Sequence, residues 1–164
     1  MIISDKNQND IISSELINSY DIEYIFNNKP INRSKNTLHS VDKSLSLKNL
    51  WEKISNIEHC ELKKNASNLV FADGKIESPI MIIGEGPGQK EDQQCKPFVG
   101  DAGNLLNKML KSINIERDKV YITNVVNYRP PNNRKPEYSE ITRYTEFLKE
   151  HINIINPKIL ILMG

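Results

Sequence analysis

Three short apolar runs, with helical spacing between them, constrain this chain more than any other feature of its sequence. Pro79-Ile80-Met81-Ile82-Ile83-Gly84 and Lys158-Ile159-Leu160-Ile161-Leu162-Met163 are apolar without alternation, and Val120-Tyr121-Ile122-Thr123 lies between them. A strand with one face in water alternates polar and apolar residues, whereas one covered on both faces by helices does not. After the first run the period changes. Ala102, Leu105, Leu106, Met109, Leu110 and Ile113 fall at i, i+3, i+4, i+7, i+8 and i+11, the stripe of a helix packed on one side. A second helix over 138–154 presents Ile141, Tyr144, Phe147, Leu148 and Ile152. Strand, helix, strand, helix, strand predicts an α/β fold, with a central parallel sheet whose three runs are core strands. Sites in such sheets lie beyond the carboxyl ends of the strands, here from Gly84, Asn124 and Gly164 onward.

The chain of 164 residues has room for one such domain and little more. Residues 1–45 form a polar N-terminal segment, with a short helix expected over 11–26 and a linker over 30–43. The domain proper is expected over residues 46–164. It opens with a helix over 45–57 that carries Leu47, Leu50, Trp51, Ile54 and Ile57. Leu69-Val70-Phe71 predicts a short strand that ends in a turn at Asp73-Gly74. No apolar run approaches the roughly 20 residues of a membrane-spanning helix, and the N-terminus shows no secretory signal. Two cysteines, Cys60 and Cys95, cannot build a disulfide framework, so a cytoplasmic location is expected. The net charge of +1 does not advertise nucleic-acid binding, yet residues 101–164 hold 10 Lys and Arg against 7 Asp and Glu.

Four segments carry groups suited to chemistry. In Gly84-Glu85-Gly86-Pro87-Gly88 the glycines let the backbone turn tightly after a buried strand and aim N–H groups at a ligand. The spacing is neither that of a dinucleotide fingerprint nor that of a P-loop, and an ordinary turn fits equally well. Glu85 adds a carboxylate able to hold water or face a developing positive charge. In Lys96-Pro97-Phe98-Val99-Gly100, Phe98 either fills core or stacks on a flat ring. Asn124 either caps a turn or reads the edge of a base with its paired donor and acceptor. In the loop Asn127-Tyr128-Arg129-Pro130-Pro131-Asn132-Asn133-Arg134-Lys135-Pro136, Arg129 and Arg134 present charge to phosphate or simply to water.

Taken in order, GEGPGQKED, KPFVGDAG, YITNVVNYRPPNNRKP and PKILILMG resemble family 4 uracil-DNA glycosylases, and also the related N-terminal domain of bacteriophage-type DNA polymerases. The likeness runs from about Trp51 to Gly164. It implies a three-layer α/β/α domain, a hydrolase of base-excision repair that cleaves the N-glycosidic bond of uracil in DNA. The partner implied is uracil-containing DNA, with no membrane. By the same resemblance Phe98 stacks on a flipped-out uracil, Asn124 pairs with its O4/N3 edge, and backbone N–H groups around Gly86 meet O2. Glu85 is the implied catalytic carboxylate, and Arg129 and Arg134 hold DNA phosphates.

The sequence departs from the family in three places. Such enzymes ligate a [4Fe–4S] cluster through four cysteines, and the matching positions here are Ile57, Cys60, Tyr128 and Tyr144. One thiolate cannot hold four irons, so no metal and no cluster is expected, with Ile57 and the tyrosines filling the space. Cys95 stands where the family commonly has glycine. Finally, the family continues past PKILILMG with a further helix, a strand and a His-Pro motif, while His39, His59 and His151 all lie upstream of that point. The sequence is therefore read as a C-terminally truncated domain, missing its last strand and helix, with Leu160 and Ile161 uncovered. Three readings stay open from this: a weak or inactive glycosylase, a non-catalytic DNA-binding remnant, and one half of a split enzyme completed by a separate C-terminal fragment.

Overall fold

The computed structural model describes residues 42–164. The helix expected over 11–26 and nearly all of the linker lie outside the described residues. Helix α1 (Lys43–Ser55) begins two residues earlier than its apolar pattern, because the Asp42 side chain accepts the Ser44 N–H and starts the first turn. It is followed by α2 (Glu61–Asn65), β1 (Ala72–Gly74), β2 (Ile80–Gly84), α3 (Gln89–Gln94) and α4 (Asp101–Ser112). A 3₁₀ turn at Arg117–Lys119 leads into β3 (Tyr121–Asn124), and α5 (Tyr138–Ile155) precedes β4 (Ile159–Leu162). The short helices α2 and α3 have no counterpart in the sequence expectations.

The sheet order is β1-β3-β2-β4, with β2 parallel to both β3 and β4. Alternate residues of the central strands point to opposite layers. Met81, Ile83 and Tyr121 pack with Leu47 of α1 and Ile155 of α5, while Ile82 and Ile122 pack with Leu106 and Leu110 of α4. These contacts make the three-layer α/β/α arrangement that the family resemblance implied.

Two strands differ from expectation. Pairing occurs at Ala72–Gly74 instead of Leu69–Phe71, and β1 runs antiparallel to β3, so the sheet is mixed at that edge. The Val70 N–H instead reaches Asn127 O at 2.9 Å, and Phe71 O accepts from Thr123 Oγ1 at 2.7 Å, which ties the 69–71 segment to β3 and to the loop that follows it. The other correction is β4, which is no core strand. Among the described residues it pairs with β2 alone, and Ile159, Leu160, Ile161 and Leu162 are all exposed. The α4 stripe is likewise only half used: Leu106 and Leu110 are buried, while Leu105, Met109 and Ile113 are exposed.

In α5 the buried positions are Tyr144, His151 and Ile155. His151, which no apolar pattern flags, stacks on Phe71 with ring centroids 4.7 Å apart and bonds Tyr121 Oη through Nε2 at 2.8 Å. Burial pushes its pKa down to about 4.

Candidate active site

Strands β2 and β3 end side by side, with Gly84 and Asn124 as register partners. Beyond the sheet the two exits stay linked, as the Val125 N–H donates to Gly84 O at 2.8 Å and the Val126 N–H to Glu85 O at 3.2 Å. A Cβ added to Gly84 would lie 2.5 Å from Asn124 Oδ1 and 2.6 Å from the tip of the Phe98 ring. Only glycine lets the ring and the amide converge over the strand end. The structure thus gathers three residues that the sequence keeps up to 40 positions apart.

Asn124 is 3% exposed, yet its side-chain amide makes no hydrogen bond to a described residue. Leaving such a group unpaired costs about 1–3 kcal/mol when it is sealed from water. Among the described residues no side-chain nitrogen or oxygen is both sealed from solvent and without a partner. One acceptor and two donors are therefore available there to a planar ligand.

Phe98 fills core, as one of its two sequence readings has it. Part of the ring packs on the core of Ile82, Leu106, Leu110, Val120 and Ile122, and its tip faces Gly84 and Asn124. Its backbone is left-handed, with φ of 53°, which for a bulky residue costs on the order of 1–3 kcal/mol. Gly103 makes room for this turn, since a Cβ there would lie 1.9 Å from Phe98 O. Glu91 holds the far side of the loop, its Oε1 accepting the N–H groups of Val99 at 2.9 Å and Gly100 at 2.7 Å.

Glu85 is half-buried and lines a hollow of about 130 Å³ with Gly86, Pro87, Pro130, Asn133 and Lys135. Its carboxylate and the Gly86 N–H bond to no described partner. Arg129 does not line the hollow, but its Nε donates to Asn133 Oδ1 at 2.6 Å. Arg134 does line it. Both terminal nitrogens meet the Glu140 carboxylate, at 2.8 and 2.7 Å, and that hydrogen bonding holds the Glu140 pKa below its ordinary value. The sequence flagged the charge of Arg134 but not its partner.

A second cluster lies between α1, α2 and α5. Cys60, Tyr128 and Tyr144 are buried together with Leu50, Ile54 and Leu62, and Ile57 packs against them. Cys60 Sγ lies 3.4 Å from Tyr144 Oη. Burial raises the Tyr144 pKa, so the phenol stays protonated. One thiol, two phenols and an isoleucine do not fit a four-iron cluster, which calls for thiolate at each iron.

Fold and site together define an α/β/α domain with a polar pocket at the ends of its two central strands. The chain belongs to the uracil DNA glycosylase superfamily, whose family model matches residues 71–164. It is similar to a type-4 uracil-DNA glycosylase of Sulfurisphaera tokodaii, 46% identical over 73% of this chain and 54% of the relative. A type-4 uracil-DNA glycosylase of Thermotoga maritima is 42% identical over 69% of this chain and 59% of its own length. A DNA polymerase of Bacillus phage SP01 is 35% identical over 56% of this chain and 10% of its own. The chain therefore spans between half and two thirds of the type-4 relatives it matches. Among the described residues no helix is long and apolar enough to cross a membrane.

Proposed function

We propose that this domain binds a uracil flipped out of DNA and serves hydrolysis of its N-glycosidic bond. The observation that carries the reading is the buried Asn124 amide, without a partner among the described residues and set beside the Phe98 ring and Gly84. A stacked base is out of reach in a duplex, and extruding it costs a few kcal/mol, which the pocket must return. Phe98 returns part of that through stacking, worth roughly 1–3 kcal/mol per base. Asn124 accepts from uracil N3–H and donates to O4. Cytosine offers the opposite pattern and would leave buried groups unpaired. The Gly86 N–H donates to O2, where negative charge grows as the C1′–N1 bond breaks.

In the reaction the bonding pair of C1′–N1 leaves with uracil, and a water oxygen bonds C1′. Glu85 orients that water and faces the oxocarbenium-like sugar. The water's proton passes to the carboxylate or to solvent, and the uracil anion takes up a proton on release. Arg129 is assigned the larger phosphate contact, because Arg134 is already charge-paired with Glu140. The reading includes no iron–sulfur cluster, because Ile57, Tyr128 and Tyr144 surround Cys60 where further thiolates would be needed. Iron analysis of the purified protein tests this, and about four irons per chain would overturn it.

One observation favours a second reading, a DNA-binding domain that needs a further polypeptide segment for catalysis. Among the described residues no histidine reaches the pocket: His151 is buried against Tyr121, and His59 lines the hollow beside Cys60. Losing one donor to a developing anion typically costs roughly a hundred- to a thousand-fold in rate. The test is excision on a labelled single-stranded oligonucleotide with one uracil, followed by alkaline cleavage, using this chain alone and with a C-terminal segment from a type-4 relative. Cleavage by the chain alone supports the first reading, cleavage only with the added segment supports the second, and no cleavage by either contradicts both.

A further inference from the structure

The geometry points to Arg117 as a positioning residue that fixes the Phe98 ring at the pocket, an inference that rests on reading Phe98 as the platform for a base. Arg117 lies in the 3₁₀ turn before β3, outside all four motif segments. A lone arginine between elements ordinarily points into water, but this one does not. Its guanidinium makes five hydrogen bonds, one for each N–H it possesses. Nη1 donates to Phe98 O at 3.0 Å and to Asn107 Oδ1 at 3.1 Å. Nη2 donates to Pro97 O at 2.7 Å and to Asp73 Oδ2 at 3.0 Å, and Nε reaches the same Asp73 oxygen at 3.1 Å. With side-chain exposures of 22% for Arg117 and 26% for Asp73, the group is substantially withdrawn from solvent.

The consequence for the loop is mechanical. Residues 97–100 turn through a left-handed Phe98, a conformation that a bulky residue holds only when its surroundings over-determine it. Arg117 takes the carbonyls on one side of the turn, and Glu91 takes the N–H groups of Val99 and Gly100 on the other. Through Asp73 the same guanidinium is anchored to β1, and through Asn107 to α4. The ring is thus referenced to the sheet that also carries Asn124, and the distance between stacking face and amide edge is set by the fold. Lysine could not replace Arg117, because three donors on one point charge cannot span four acceptor atoms in this fork.

The experiment is a double-mutant cycle in the full chain. Arg117→Gln and Phe98→Ala are made singly and together, and binding of a single-stranded oligonucleotide carrying one uracil is read against the same strand with cytosine. Arg117→Gln is expected to weaken uracil preference about tenfold on its own and less than twofold when Phe98 is already alanine, with Arg117→Lys failing to rescue. Amide exchange without DNA gives an independent arm. The Val99 and Gly100 N–H groups should exchange more than tenfold faster in Arg117→Gln, with β2 and β3 amides unchanged. Equal effects in both backgrounds would overturn the inference, as would exchange that rises everywhere or not at all. Should the wild-type chain show no uracil preference, the proposed function fails, and the exchange arm alone decides whether Arg117 holds the loop. If Arg117→Gln does not fold, Asp73→Asn, which leaves the guanidinium but removes its anchor, must show the same pattern at smaller size.

Discussion

At the carboxyl ends of β2 and β3 a buried amide, Asn124, has no partner among the described residues, whereas in the layer of α1 and α5 the equally buried Cys60 and Tyr144 satisfy each other. Both regions bury polar groups among apolar ones. They differ in what the fold does with the polar atoms. At the strand ends it holds a strained Phe98 and an open amide in place through Gly84, Gly103 and Glu91, which is the arrangement of a site built for something else to complete. Around Cys60 the polar atoms are closed on each other and packed among apolar side chains, with a hollow of about 310 Å³ alongside, which is the arrangement of a core that reaches the surface. Residues are therefore expected to separate cleanly, those of the first region governing ligand preference and those of the second governing stability.

Breaking the second region should give the largest effect. Tyr144→Ala, at a fully buried position, is expected to cost about 3–5 kcal/mol in chemical denaturation while leaving the uracil preference of the remaining folded protein unchanged. Acid should act on the same layer through His151. Its pKa of about 4 when folded lies below the ordinary 6.5, so between those values the unfolded chain binds a proton that the folded chain refuses. The stability this confers is whole above pH 6.5 and is lost as pH falls toward 4, by on the order of 3 kcal/mol. Melting His151→Gln alongside wild type across that range checks it, and the variant should show a flatter pH profile.

In the pocket, Asn124→Asp replaces two donors with a carboxylate and is expected to lower uracil-DNA affinity roughly a hundredfold at neutral pH, with little change in melting temperature. Phe98→Ala should cost about tenfold in the same binding measurement. The smallest change sharpens the comparison most. Tyr144→Phe removes only the bond to Cys60, and a loss of about 1 kcal/mol in stability with no effect on binding would confirm that this cluster is core.

Much of this was legible in the sequence, for physical reasons. The continuous apolar runs of β2 and β3 admit only a strand covered on both faces, and both lie where the runs place them. β4 has the same composition yet stands exposed, because an apolar run reports what a strand could bury and not what covers it. β1 was misplaced by three residues, since Ala72-Asp73-Gly74 has no strand propensity of its own and owes its conformation to pairing with β3. Motif segments single out Asn124 and Phe98 in the sequence, and the structure brings the two together at Gly84. Arg117 and His151 are not singled out: a single polar residue carries no periodicity, and only tertiary contact distinguishes a five-bonded arginine or a buried histidine from a solvated one.

The central claim is that Asn124 reads the edge of a base at the end of β3. The most direct test is equilibrium binding of the wild-type chain and Asn124→Asp to single-stranded oligonucleotides that differ only in one uracil or cytosine. The account predicts that wild type prefers the uracil strand at least tenfold and that the variant loses or inverts this preference. Equal affinity of wild type for the two strands, or a preference that survives in Asn124→Asp, would contradict it.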